Sequence, residues 1–389
     1  MARSVGVDLF SPDNPDAPYF AIKIEDKIFD IDINYIKQLT VNRTMDDVGD
    51  FEFNLVNLMD TSLENKFLKL FQAYTTTMPP ISFQYGWSLG EKSPWYRGYL
   101  MNYNPTFIPG GYMELNVVGK LMGASATEER IAFYKGKSIS EIVAKIAEDM
   151  GWVVEELDKS VPFTEERTFR VSNIGIVDYI RKELEPYATN AKNEPFRFYA
   201  DVQNGGKTHI WFISVNKKVG VQKNYNFFIN MGNYGSVLSF SPKYSGLTMS
   251  GFLQSAAIDL DTNDVCVYGN EAKAASAEGS SLTIYGSTSP DRMGPLLANK
   301  WYQNNIGSIT ASLEIVGDPT LVPWQSINVA PMMADGSYHR FTAGTYQIRQ
   351  ITDTIAGDYR TSMELFMCGT EDGTKTMQLA EAVKFQGSE

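Results

Sequence analysis

Cysteine and histidine are nearly absent from this 389-residue chain, with two of each. Cys266 and Cys368 stand far apart, and there is no Cys-x-x-Cys or His-x-x-x-His spacing, so a zinc site would have to borrow carboxylates. The start, MARSVGVDLFSPDNPD, has no apolar core of the signal-peptide kind, and a reduced pair of thiols is expected rather than a disulfide. No apolar run approaches the roughly 20 residues of a membrane span. A basic excess is also missing. Lys and Arg total 34 against 46 Asp and Glu, a formal charge of -12 that argues against sequence-specific nucleic-acid binding, which needs a basic surface to displace counterions. Acidity suits a passage through which DNA must slide without adhering.

The shortage of histidine restricts catalysis. A Ser-His-Asp or Cys-His centre needs an oriented imidazole, and only His209, within THIWFISV, and His339, within DGSYHR, are on offer; both read as strand or turn residues. Carboxylate pairs of the glycosidase kind would have to come from Asp46-Asp47, Glu128-Glu129 or Glu155-Glu156. Such neighbours point to opposite faces of a strand, or diverge by about 100° on a helix. The sequon Asn42-Arg43-Thr44 is silent without secretion. In Asn204-Gly205-Gly206-Lys207-Thr208, a phosphate loop would need glycine where Asp201 stands and a helix where a strand follows, so the segment is a hairpin turn. No catalytic, cofactor-binding or metal-ligating residue is assigned. No enzyme is expected.

What is present is aromatic and extended. Aromatic residues make up 13% of the chain, with 21 Tyr and 22 Phe, and rings of this kind favour pleated sheets. The length admits two to four domains. Residues 19–57 alternate as three or four strands, with Glu25-Asp26-Lys27 and Val48-Gly49-Asp50 as turns. A helix then starts at the capping box Thr61 to Glu64, with Leu63, Phe67, Leu70 and Phe71 on one face. ISFQYGW, WYRGYLMNYNPTF and YMELNVVG resume the strands, completing a small barrel or sandwich over residues 1–122.

Helices gather in 123–223. Ser138 and Glu141 form a second capping box, and Gly151 sits at the C-cap. A further helix is expected over 174–185, with Pro186 as its stop. From 224 to 369 strands return, interrupted by the small-residue loop 270–281 and by a helix starting at Ser289-Pro290-Asp291. In Gly317-Asp318-Pro319, proline extends its predecessor and glycine tolerates positive φ, making a corner between strands. A closing hairpin runs from Gly344 to Gly369, and 370–389 is a polar tail. Gly98-Tyr99 to Met113-Glu114-Leu115 parallels Gly344-Thr345-Tyr346 to Met363-Glu364-Leu365, ending at Gly119 and Gly369. With the common order of elements, this suggests a duplicated barrel. The stock of Tyr, Phe and 16 Met also suits large protein interfaces.

The helix followed by ASLEIVGDPTLVPWQSINVA and GTYQIRQITDTIAGDYRTSMELF resembles the closing region of bacteriophage tail hub proteins. That family includes baseplate hubs, late control proteins and the hub part of type VI secretion spikes. GKSISEIVAKIAEDMGW, and RTFRVSNIGIVDYIRKEL through the NGG hairpin, are similar to its middle region. The resemblance implies a mainly β, α+β fold: two tail-tube-like β-barrel domains (1–122 and 224–369), each with one flanking helix, separated by small α/β domains (123–223). It implies a homotrimer whose six barrels join a hexameric tail tube protein to a trimeric central spike protein, with the tape-measure protein and other baseplate proteins as partners, no membrane and no cofactor. A distal tail or adaptor protein is the alternative within structural proteins, and a cell-wall hydrolase or carbohydrate-binding module lies outside that class.

Overall fold

A computed structural model describes residues 17–24, 27–45, 48–56, 67, 69–70, 72–73, 78–109, 112–121, 129–192, 194–203, 207–215, 219–228, 236–244, 253–258, 265–269, 281–287, 309–333, 335, 337, 339 and 342–370. The expected helices from Thr61 and Ser289, the loop 270–281 and the tail 370–389 lie largely or wholly outside these residues. Phe67 and Leu70 are helical and buried.

The first half carries β1 (Pro18–Ile24), β2 (Lys27–Asp30), β3 (Ile36–Thr44), β4 (Asp50–Val56), β5 (Pro80–Trp87), β6 (Tyr96–Ile108) and β7 (Tyr112–Lys120). A middle region follows with β8 (Arg130–Gly136), α1 (Ile139–Met150), β9 (Val153–Leu157), β10 (Arg167–Ile174), α2 (Ile176–Tyr179), β11 (Phe196–Gln203) and β12 (Lys207–Ser214). The last part holds β13 (Val219–Phe228), β14 (Val237–Tyr244), β15 (Leu253–Ile258), β16 (Val265–Gly269), β17 (Ser281–Ser287), β18 (Ile309–Val316), β19 (Gln325–Met332), β20 (Gly344–Ile355) and β21 (Tyr359–Thr370). The expected mainly β, α+β class is what the chain adopts. No closed barrel forms among the described strands. Instead, strands of both halves share one 13-stranded sheet, ordered β14-β18-β21-β20-β3-β4-β7-β6-β5-β1-β2 and branching through β19 and β13.

Alternation builds this sheet. In β18, Ile309, Ala311, Leu313 and Ile315 are buried while their neighbours are not, so one face packs and the other meets water. Phe20, Phe51, Phe53 and Phe83 form the centre of the first core, with ring centroids 4.8 to 5.1 Å apart. A second core fills the middle region around Ile142, Ile146, Ile180 and Phe212, and a third lies among β18 to β21. Met45, Tyr199, Ile213, Val215, Trp324 and Phe366 pack where the three regions meet.

The two halves repeat in register. Lys37 is the extra residue between the pairs Ile36↔Leu55 and Gln38↔Asn54, and Leu238 is the extra residue between Val237↔Ile315 and Ser239↔Glu314. Met101 bulges between Leu100↔Gly119 and Asn102↔Val118, and Arg349 between Ile348↔Leu365 and Gln350↔Glu364. Pro80↔Tyr99 to Phe83↔Tyr96 joins β5 to β6, as Ser326↔Gln347 to Val329↔Gly344 joins β19 to β20. β3, β4, β5, β6 and β7 therefore correspond to β14, β18, β19, β20 and β21. The repeat stops short of β1 and β13: β1 is antiparallel to β5, whereas β13 is parallel to β19.

This register corrects the marks read from the sequence. Gly119 corresponds to Leu365 rather than Gly369, and Met113-Glu114-Leu115 falls on 359–361 rather than on Met363-Glu364-Leu365. The shared tripeptide is coincidence; the shared strand order is not.

In the middle region, Ser138 caps α1 by accepting from Glu141 N–H, while the Glu141 carboxylate reaches back to Lys137 N–H at 2.7 Å. Gly151 closes it with φ of 66°. The second expected helix is α-helical only over 176–179, widens to a π turn over 180–184 and ends in a 3-10 turn holding Pro186. Proline supplies no N–H to an i-4 carbonyl, so it lies past the helical ladder, and Glu185 N–H donates to Ile180 O, five residues back. Replacing Ser138 by Ala should lower stability by about 1 kcal/mol in urea unfolding, leaving the denaturant slope unchanged.

Candidate functional site

The two halves of this chain meet along β20. β20 divides its edge. Its first residues, 344–347, pair with β19, and after the Arg349 bulge residues 350–355 pair with β3, from Gln350↔Thr44 to Ile355↔Leu39. One strand thus serves its own half and then the other.

Arg43 and Asp353 lie in the inward phase of β3 and β20, each with a side chain 1% exposed, and their Nη2–Oδ2 distance is 2.9 Å. A buried charge demands partners. The Asp353 carboxylate accepts four hydrogen bonds, as many as its lone pairs hold: from Arg43 Nη2 and the Tyr85 hydroxyl (2.7 Å) at Oδ2, and from the Tyr359 (3.0 Å) and Thr361 (2.6 Å) hydroxyls at Oδ1. Arg43 Nη1 donates to the Tyr96 hydroxyl at 2.8 Å, while its Nε is buried without a partner. Donors thus come from β3 and β5 of the first half and β21 of the second. Burial, before any charge effect, raises the hydroxyls of Tyr85, Tyr96, Tyr199 and Tyr359 well above the ordinary tyrosine range. Burial opposes the Arg43 charge, but Tyr85, Tyr96 and Asp353 outweigh it and hold the guanidinium protonated.

The corner Gly317-Asp318-Pro319 is stitched to this cluster. Gly317 N–H donates to Tyr359 O (2.9 Å), Trp87 Nε1 of the first half donates to Gly317 O (2.8 Å), and Asp318 N–H donates to the Thr361 hydroxyl (3.0 Å). The Asp318 carboxylate accepts from Lys223 Nζ at 2.6 Å and the Thr320 hydroxyl at 2.6 Å. Gly317 is not there for positive φ, as its sequence suggested. A Cβ at this position would stand 2.1 Å from the Tyr359 ring, so glycine is required by close approach. Trp324, after the corner, is the residue with positive φ, at 72°.

The residues weighed for catalysis are dispersed. His209, on β12, has Nδ1 2.5 Å from Glu155 Oε1 of β9, and His339 Nδ1 lies 2.8 Å from the Thr342 hydroxyl. Cys266 and Cys368 have backbones in different sheets, with side chains outside the described residues; Asp46, Asp47 and Glu128 also lie outside. Asn42 of the sequon donates to Asp50 and accepts from Thr352. Among the described residues no three His, Cys, Asp or Glu groups are placed to hold a metal, and no helix is long and apolar enough to cross a membrane. The Arg43–Asp353 cluster was missed from sequence. Its signal was two opposite charges at inward positions of alternating strands, Val41 to Arg43 and Ile351 to Asp353 to Ile355.

No family model matches the chain, and no curated protein matches it in sequence. Its fold is nonetheless that of solved tail proteins. The tail protein of Neisseria meningitidis MC58 superposes with a TM-score of 0.59 at 8% identity, over 90% of this chain and 97% of the other. The 43 kDa tail protein of prophage MuSo2 from Shewanella oneidensis gives 0.59 at 9% identity, over 90% and 98%. The E. coli c3393 protein, a type VI secretion component described as similar to T4 tail proteins gp27 and gp5, gives 0.51 at 10% identity, over 85% and 73%.

Asp353→Ala should destabilise the protein by about 3–5 kcal/mol by leaving Arg43 buried and unpaired, whereas Arg43→Met with Asp353→Leu should cost much less; urea titrations of the three proteins compare them. The buried tyrosines also set an alkaline limit. Their folded pKa values are raised, so their contribution is full below the ordinary value of about 10 and is lost as pH climbs beyond it. Stability measured against pH should fall above that point together with a rise in tyrosinate absorbance.

Proposed function

We infer that the chain is a structural, non-catalytic hub of a phage tail tip, in which three copies close a ring that joins a hexameric tail tube to a trimeric central spike. The observation that carries this is the register repeat: one polypeptide holds the same five-strand unit twice, with both bulges in the same places. Three such chains present six equivalent units to a tube and threefold symmetry to a spike. The fold shared with tail proteins and with the gp27-like and gp5-like secretion component supports the setting, in the virion tail.

The divisions 1–122, 123–223 and 224–369 are proposed as two tube-like units around a middle region, with 370–389 as a segment that docks a neighbour. The net charge of -12 supports a carboxylate-lined channel that releases DNA and a tape-measure protein without holding them. Native mass measurement of the purified chain with its spike protein should give three copies. Six copies would instead identify a distal tail or adaptor ring, and clearing of peptidoglycan in a zymogram would overturn the non-catalytic reading.

A further inference from the structure

The middle region has an outer face that the described residues leave uncovered. β8 and β10 form a two-stranded sheet, paired from Arg167↔Gly136 to Ile174↔Arg130. Its inner side chains, Tyr134, Phe169 and Val171, join the core built around Ile142 and Ile180. The outer row is Ile131, Phe133 and Lys135 on β8, facing Ser172, Arg170 and Thr168 on β10, and all six are exposed. A wet sheet face is ordinarily polar. Here Ile131 is 62% and Phe133 64% exposed, and the Arg170 guanidinium stands 5.9 Å from the centroid of the Phe133 ring. No acid lies within 131–135 or 168–172, so the face is apolar and basic on a chain of net charge -12.

Such a face suits an acidic segment with apolar side chains, and the sequence holds one. Residues 371–389, outside the described residues, read EDGTKTMQLAEAVKFQGSE, four acids against two lysines. In extended form Met377, Leu379, Val383 and Phe385 share one side with Glu381 among them, the complement of a row in which Arg170 flanks Ile131 and Phe133.

The fold sets which copy delivers this segment. β21, which leads into it, buries Phe366 against Tyr199 and Ile213. These two side chains lie on one face of the paired β11 and β12, while Phe196, Phe198, Ile210 and Phe212 on the opposite face share the core with Tyr134, Phe169 and Val171. The segment therefore leaves its own chain on the far side of the middle region from the exposed row. Extended, residues 371–389 span about 60 Å at ~3.3 Å per residue, enough to reach an adjacent copy in a ring.

We propose that residues 377–385 of one copy dock on the outer face of β8 and β10 of the adjacent copy, with Glu381 on Arg170 and the apolar side chains over Ile131 and Phe133. This rests on the ring reading above and gives its terminal segment a receptor.

Two single-cysteine proteins, both with Cys266→Ser and Cys368→Ser, test the contact: one carries Ser172→Cys on the face, the other Ala382→Cys in the segment. Mixed, assembled with the spike protein and oxidised, they should form a covalent pair on a non-reducing gel. Phe133→Lys in the first protein should lower that yield about tenfold, as loss of one buried aromatic contact does. Its urea unfolding curve should not change, because Phe133 is exposed within its own chain. Full yield from the Phe133→Lys protein overturns the assignment to this face. A chain carrying both cysteines that closes internally, with no mixed product, overturns docking between copies. Three copies by native mass with no mixed product overturn the contact and leave the ring standing. A mixed product in an assembly of another copy number keeps the contact and overturns the trimer, and monomers that give no mixed product overturn both.

Discussion

The fold depends on the joint between β3 and β20, and a buried ion pair sits at its centre. Arg43 and Asp353 are separated by most of the chain, yet they fix which residue of β3 faces which residue of β20. A slip of one position would send Arg43 to the opposite face and place Asn42 or Thr44 inside, leaving Asp353 and its three hydroxyl donors without the charge they surround. Desolvation makes such a pair a poor source of net stability. As a device for register it is effective, because every alternative leaves a charge buried alone.

From this joint the larger architecture follows. Because β20 leaves β19 at a bulge and continues on β3, the two halves form a single sheet rather than two bodies on a linker. The Gly317-Asp318-Pro319 corner tightens the same seam: Trp87 holds it from one side and Thr361 from the other, and Tyr359 fills the space that glycine leaves. Tyr199, Ile213 and Val215 of the middle region, packed with Met45, Trp324 and Phe366, tie the third region to it. A single sheet holds the two repeated units at one spacing, where a flexible link would let them sit at many angles.

Strand identity was legible in the sequence wherever alternation was clean, as in β18, and so were the α1 caps, whose chemistry is local. What was not legible depended on partners distant in the chain. Gly317 looked like a φ requirement and proved to be a contact with Tyr359. The helix expected over 174–185 is α-helical only to Tyr179 before it widens, and β15, whose LQSAAI carries no strong alternation, went unread. The duplication could be inferred from element order, but the residues chosen to mark it were out of register, because equivalence lies in bulges and pairings that composition does not encode. Arg43 and Asp353 were each visible as charges on an apolar face; only the topology made them a pair.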